Sequence, residues 1–171
     1  NDIKRIKDRY DIDNVTTDIN DILNDDSIDA IYIGTPNDCH YQHYKLAIES
    51  KKHVLCDKPL GLNQTETREM LQIANKNKRY ISNVVFQYRF IPAISEIKKI
   101  ISDGLIGKIL KFRISYLHGS YIENRPITWR LKDKTGGALI DLGPHVIDLA
   151  YFLFGNFRIT DKKLKTKIKD R

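Results

Sequence analysis

Between residues 29 and 86 the chain changes its hydrophobic period again and again. Residues 29–34 form a short β-branched apolar run closed by Gly34. Tyr41, Tyr44, Ala47 and Ile48 then fall at helical spacing. His53, Val54, Leu55 and Cys56 make a second short run. A second helical stripe follows, with Thr67, Met70, Leu71 and Ala74, opened by Asn63 and Glu66 in capping-box spacing. A third run covers 80–86. Strand, helix, strand, helix, strand predicts a parallel sheet with right-handed crossovers, hence an α/β fold. In such sheets ligands bind beyond the carboxyl ends of the strands. Those ends are Thr35-Pro36-Asn37, Asp57-Lys58-Pro59 and Gln87-Tyr88-Arg89, and all three must share one rim. A lysine placed there, between an acid and a proline, is a candidate functional cation.

Elsewhere the pattern differs. Thr17 is placed to cap a short helix with Ile19, Ile22 and Leu23 inward, after an acidic and broken start. Residues 93–102 read as a helix with Ile94, Ile97, Ile100 and Ile101 inward and Gly104 as its stop. Then Leu110, Phe112, Ile114 and Tyr116 alternate with Lys111, Arg113 and Ser115. That predicts a strand covered on one face, the habit of antiparallel sheets. Gly136-Gly137 opens a last helical stretch to Phe154, Gly155 ends it, and a further strand is expected from Phe157. The switch from buried runs to alternation puts a domain boundary near residues 87–108, dividing the chain into 1–88 and 89–171.

The 171 residues carry 29 basic and 22 acidic groups, 41% apolar and 30% charged residues, the balance of a globular rather than a disordered chain. No stretch approaches the ~18 uncharged apolar residues of a membrane helix. Cys39 and Cys56 are too few for a disulfide scaffold and read as reduced thiols, which predicts a cytoplasmic protein. The basic tail at 162–169 lacks the aromatic interleaving that stacks bases, so neither nucleic acid nor membrane is an expected partner. No signal peptide is visible, and the sole methionine is Met70, so the chain is expected to begin partway into a longer protein.

The chemistry concentrates at 136–148. Asp141, His145 and Asp148 stand at i, i+4 and i+7, one face of a regular helix. Pro144 removes a backbone donor and pushes Gly143 off helical angles, so a kink or late helix start is expected near Asp141. An acid and an imidazole side by side suit proton transfer near neutral pH, although such a pair is more often structural. Asp148 is read either as a support for His145 or as a cap on a neighbouring turn. Cys39, His40 and His43 beside Asp38 do not make a convincing metal site, because adjacent residues point to different helix faces.

Taken in order, T-P-N-x-x-H (Thr35, Pro36, Asn37, His40), D-K-P (Asp57, Lys58, Pro59), Trp129-Arg130 and G-G-x-x-x-D-x-G-x-H-x-x-D resemble the Gfo/Idh/MocA family of NAD(P)-dependent oxidoreductases. The resemblance runs from about residue 15 to residue 155. It implies a partial Rossmann-type domain over 1–88, followed by part of an α+β open-sheet substrate domain over 89–171. It implies NAD or NADP as cofactor and a secondary alcohol of a sugar, cyclitol or nucleotide sugar as substrate. It also implies association of the complete protein through its open sheet. Lys58 matches the family lysine that contacts nicotinamide ribose and substrate hydroxyl, Asp141 the aspartate that orients substrate, and His145 the histidine that takes the hydroxyl proton. Thr35, Pro36, Asn37 and His40 match the turn lining the cofactor, with Asp57 and Pro59 flanking the lysine. Arg89, Trp129 and Arg130 resemble residues bordering nicotinamide and substrate; His118 and Tyr121 are further candidates for that border. The bond between Lys58 and Pro59 is expected to be cis. Asp57 replaces the usual Glu, and no G-x-G-x-x-G turn stands in the sequence. A fragment is therefore expected, one that holds dinucleotide poorly on its own. Two further readings stay open: an NAD-dependent glycosidase-type enzyme of the same fold, and a non-catalytic remnant.

Overall fold

The computed structural model describes residues 2–117, 136–163 and 165. Strands β1 (Ala30–Ile33), β2 (His53–Cys56) and β3 (Ser82–Val84) form a parallel sheet in the order β1-β2-β3. The ladder runs past the strand ends, with Asp57 N–H donating to the Ile33 carbonyl at 2.8 Å and Val85 N–H to the Cys56 carbonyl at 2.9 Å. The three carboxyl ends therefore lie on one rim, as the alternation of periods requires.

Helices α3 (His40–Glu49) and α4 (Gln64–Lys76) make the crossovers. Register puts Ile31 beside Val54, and Ile33 beside Cys56 and Val84, on one face of the sheet. On that face Ile33, Val54 and Cys56 join Leu23, Tyr44, Ala47, Ile48 and Met70 in a single buried cluster. A fully buried side chain of this size contributes about 1.5–3 kcal/mol, so this cluster dominates the fold's stability. On the other face Tyr32 and Leu55 are exposed. The runs read as wholly buried are thus buried on one side only. A parallel sheet hides both faces only where helices cover both, and the two crossovers cover one.

Local chemistry explains the ends of the elements. Asn63 caps α4 by accepting from Glu66 N–H at 3.0 Å, while the Glu66 carboxylate reaches back to Leu62 N–H at 2.8 Å. Helix α2 (Ile19–Leu23) is capped by Asp18, which accepts from Asn20 N–H at 2.9 Å, and not by Thr17. A carboxylate one residue closer to the helix is the stronger acceptor there. The acidic start is not broken: α1 spans Asp2–Tyr10. Buried Lys52 donates from Nζ to the Asp25 carbonyl at 2.7 Å, tying the α3–β2 turn to the loop before β1.

Helix α5 (Pro92–Ser102) begins on a proline, which suits the first turn, and Gly104 follows it at φ 73°. The last helical stretch is split into α6 (Ala138–Asp141) and α7 (Gly143–Phe154). The break falls at Leu142–Gly143, ahead of Pro144, where the sequence calls for it. A Cβ on Gly143 would meet Leu139 Cδ1 at 2.9 Å, so the break is also close-packed.

Two expected strands do not form. Residues 110–116 and those from Phe157 onward carry no regular structure among the described residues. Burial alternates only over its second half: Ile114 and Tyr116 are half-buried while Arg113, Ser115 and Leu117 are exposed, but Leu110 and Phe112, expected inward, are exposed as well. Phe112 stacks on Phe154 of α7 with centroids 4.1 Å apart. A strand needs a hydrogen-bonded neighbour, and none pairs with this segment among the described residues.

Candidate active site

Each strand's exit turn delivers polar groups to the rim. After β1, Asn37 is buried and opens a short 3₁₀ turn. Thr35 hydroxyl lies 3.1 Å from His43 Nδ1. His40 has no exposed surface; its Nε2 lies 2.9 Å from the Thr35 carbonyl and its Nδ1 2.8 Å from the Pro59 carbonyl. This ring thus bridges the turns after β1 and β2. It acts on the rim through two backbone carbonyls rather than by facing a ligand. His40 and His43 are thus both engaged in hydrogen bonds along the rim.

After β2, the Asp57 carboxylate accepts from Lys58 N–H at 2.9 Å, and the Lys58–Pro59 peptide is cis as expected. This turn aims the lysine across the rim. Lys58 Nζ meets Asp141 Oδ1 at 2.9 Å and the Asp141 carbonyl at 2.6 Å, with side chains only 12% and 15% exposed. Two residues 83 positions apart therefore form one well-shielded pair.

His145 opens α7 just beyond and is 5% exposed. Its Nδ1 is buried and has no hydrogen-bond partner among the described residues. Burial and the neighbouring Lys58 charge push its pKa below the usual histidine value, while Asp141, Asp57 and Asp148 pull it upward. Burial and the Lys58 charge thus favour the neutral ring, the form that can accept a proton. Lys58 and Asp141 are near enough to His145 for their charges to act on its ring.

The break between α6 and α7 changes one expectation. Asp141 belongs to α6, so it does not share a continuous helix face with His145 and Asp148. Asp148 neither bonds to His145 nor caps a turn. It is buried and holds the Arg89 guanidinium, with Arg89 Nε 2.9 and 3.1 Å from its two oxygens and Nη2 also bonded. Arg89, expected at the nicotinamide, is thus committed to Asp148, whose hydrogen bonds raise its pKa still further. Trp129, Arg130, His118 and Tyr121 lie outside the described residues.

Sequence reasoning passed over Tyr88 and Tyr116. Tyr88 follows β3 and packs on the His145 ring with centroids 4.7 Å apart; Tyr116 lies at 6.1 Å. Their hydroxyls are 2.5 Å apart, and this bond pushes the Tyr88 pKa up to about 12. The available signal was position: Tyr88 sits on a strand's exit turn, and Tyr116 ends the inward set of the alternating segment.

A parallel half-sheet whose strand ends share one polar rim is the architecture of the Rossmann-type nucleotide-binding class. Residues 1–84 match the model of an oxidoreductase family with an NAD-binding Rossmann fold, and residues 94–168 match the GFO/IDH/MocA C-terminal domain. The chain belongs to the GFO/IDH/MocA family. It is 39% identical over 166 residues to levoglucosan dehydrogenase of Pseudarthrobacter phenanthrenivorans, covering 95% of this chain and 42% of that protein. It is 34% identical over 142 residues to a scyllo-inositol 2-dehydrogenase (NADP(+)) of Bacillus subtilis, covering 82% and 39%. The structure of levoglucosan dehydrogenase in complex with NADH and levoglucosan superposes with a TM-score of 0.86 at 37% identity, over 91% of this chain and 42% of that one. The chain thus spans about two-fifths of the length of these relatives. No helix among the described residues is long and apolar enough to cross a membrane.

Proposed function

We propose that the protein carrying this chain is an NAD(P)-dependent dehydrogenase that oxidises a secondary alcohol of a sugar or cyclitol. The observation that carries this reading is the buried Nδ1 of His145, which has no hydrogen-bond partner among the described residues and lies within the field of the Lys58–Asp141 pair. Relatives acting on levoglucosan and on scyllo-inositol support the substrate class.

The residues present fit the nicotinamide end of a dinucleotide. Polar turns stand at the carboxyl ends of β1 and β2, where a parallel sheet receives such a ligand. Thr35, Pro36 and Asn37 would line one side, and Asp57, Lys58 and Pro59 the other. The glycine turn that cradles a pyrophosphate is not among the 171 residues. When bound, the nicotinamide accepts the hydride, which is chemistry no side chain supplies.

The protein's part is the proton and the charge. Neutral His145 takes the proton from the substrate hydroxyl as the C–H bond breaks. The Lys58 ammonium stabilises the alkoxide that develops on that oxygen, in a cleft where little water screens it. Asp141 holds the ammonium in place. His40 keeps the two exit turns in register, so that Lys58 meets Asp141.

The test is nicotinamide reduction by the full-length protein with levoglucosan, inositols and free hexoses, using NAD⁺ and NADP⁺ in turn. Turnover on one of these polyols, lowered about 10²–10⁴-fold by His145→Asn, supports the assignment. Activity indifferent to both His145→Asn and Lys58→Met overturns it.

A further inference from the structure

We infer that Arg89 and Asp148 form a positioning pair that sets the His145 ring against Lys58 and Asp141, and so controls turnover without touching substrate. The inference rests on the dehydrogenase reading of the same cleft.

The geometry runs as follows from the break before Pro144. Lys58 anchors Asp141, but Asp141 is on α6, and the chain turns at Leu142–Gly143 before α7 begins. That anchor therefore does not fix the direction of α7, which carries His145. Asp148 lies three residues beyond His145, almost one helical turn on. It is 6% exposed and is gripped by both Nε and Nη2 of Arg89. Arg89 belongs to the 3₁₀ turn Gln87–Phe90 that leaves β3, so its other end is fixed to the rim of the sheet. Tyr88, from the same turn, packs on His145 itself. One turn of chain thus touches the catalytic ring and clamps the next turn of its helix.

Two aromatic rings neighbour the guanidinium. It lies over the Phe86 ring at 5.6 Å and the Phe152 ring at 5.3 Å. A planar, forked donor suits this site and a lysine does not, because only the fork bonds both oxygens while stacking. Lys98, which donates to the Phe152 carbonyl at 2.6 Å, holds α7 farther from the ring and is no substitute.

The experiment compares Asp148→Asn and Arg89→Lys with the parent full-length protein, below their melting temperatures. Asp148→Asn should lower kcat by about a hundredfold, the cost of a misplacement near 1 Å, with KM for the dinucleotide little changed. Arg89→Lys, which keeps the charge and loses the fork, should lose less. The charged groups facing His145 are Lys58, Asp141, Asp57 and Asp148. Removing the Asp148 charge should therefore move the acid limb of the pH–rate profile to lower pH. The NMR titration of the His145 ring should shift the same way, a change that mere loss of stability would not produce. Parental kcat and a parental His145 titration in both variants would overturn the inference. If Asp148→Asn does not fold, Arg89→Lys carries the kcat readout, and a folded Arg89→Lys with parental kcat would overturn the inference. A parent protein that oxidises no polyol overturns the dehydrogenase reading alone, and the His145 titration still decides on the pair.

Discussion

Replacing Lys58 by methionine and Asp141 by asparagine, singly and together, measures how far the cleft shields its central pair. The ammonium and carboxylate are 2.9 Å apart. At an effective dielectric of roughly 20 that separation corresponds to an attraction of about 6 kcal/mol. Desolvation of two largely buried ions takes back several kcal/mol. Exposed pairs retain about 0–1 kcal/mol, and breaking fully buried ones costs about 3–5 kcal/mol. With side chains 12% and 15% exposed, this pair belongs near the buried end, and a coupling energy of about 2 kcal/mol is expected. Urea denaturation of the four proteins at neutral pH, followed by circular dichroism, supplies the cycle. The coupling should survive high salt, since screening acts weakly on buried charges. A coupling below about 0.5 kcal/mol, or one abolished by salt, would mean that the pair is solvated, and the alkoxide-stabilising role of Lys58 would lose its physical basis.

Other outcomes follow from the same geometry. His40→Leu removes the ring that serves the Thr35 and Pro59 carbonyls and should destabilise the fold by about 2–4 kcal/mol in the same denaturation assay; a loss under about 0.5 kcal/mol would deny the bridge between the two turns. His145 has a folded-state pKa below its unfolded value of 6.5, so the unfolded chain binds more protons between those two values. Its contribution is complete above 6.5 and is lost as pH falls through the folded value; His145→Asn should flatten that part of a stability-against-pH curve. Burial pushes the Cys56 thiol up to about 12, so native protein should react with thiol reagents at Cys39 and expose Cys56 only on unfolding. Met70→Ala, at a position 1% exposed in the core cluster, should cost about 2–5 kcal/mol by thermal or chemical denaturation.

The parallel half-sheet was legible because its two periods are local. An apolar run of four residues and a stripe at three- and four-residue spacing each state their own geometry, and right-handed crossovers leave one way to join them. The rim was legible for the same reason, since a parallel sheet brings its carboxyl ends together. Lys58 could thus be singled out before any partner was known. The segment at 110–116 shows where local reading stops. Its alternation told inward from outward side chains only at Ile114 and Tyr116, since Leu110 and Phe112 are exposed, and pairing is a relation between two segments that no pattern within one of them can supply. The cap on α2 shows a smaller limit: Thr17 and Asp18 are both sound caps, and the position of the first turn chose between them.

From its amino acids alone this chain determined the order of helices and strands between residues 29 and 86, the rim on which polar groups would gather, and the kink before Pro144. Backbone torsion and side-chain period act over a few residues, so they are written in consecutive ones. Tertiary structure alone decided that Lys58 closes on Asp141, that Arg89 turns to Asp148, and that Tyr88 and Tyr116 enclose the imidazole. Each of those choices compares the burial and pairing of charges from distant segments. Such electrostatic and desolvation energies exist only after the packed elements have excluded water from the space between them.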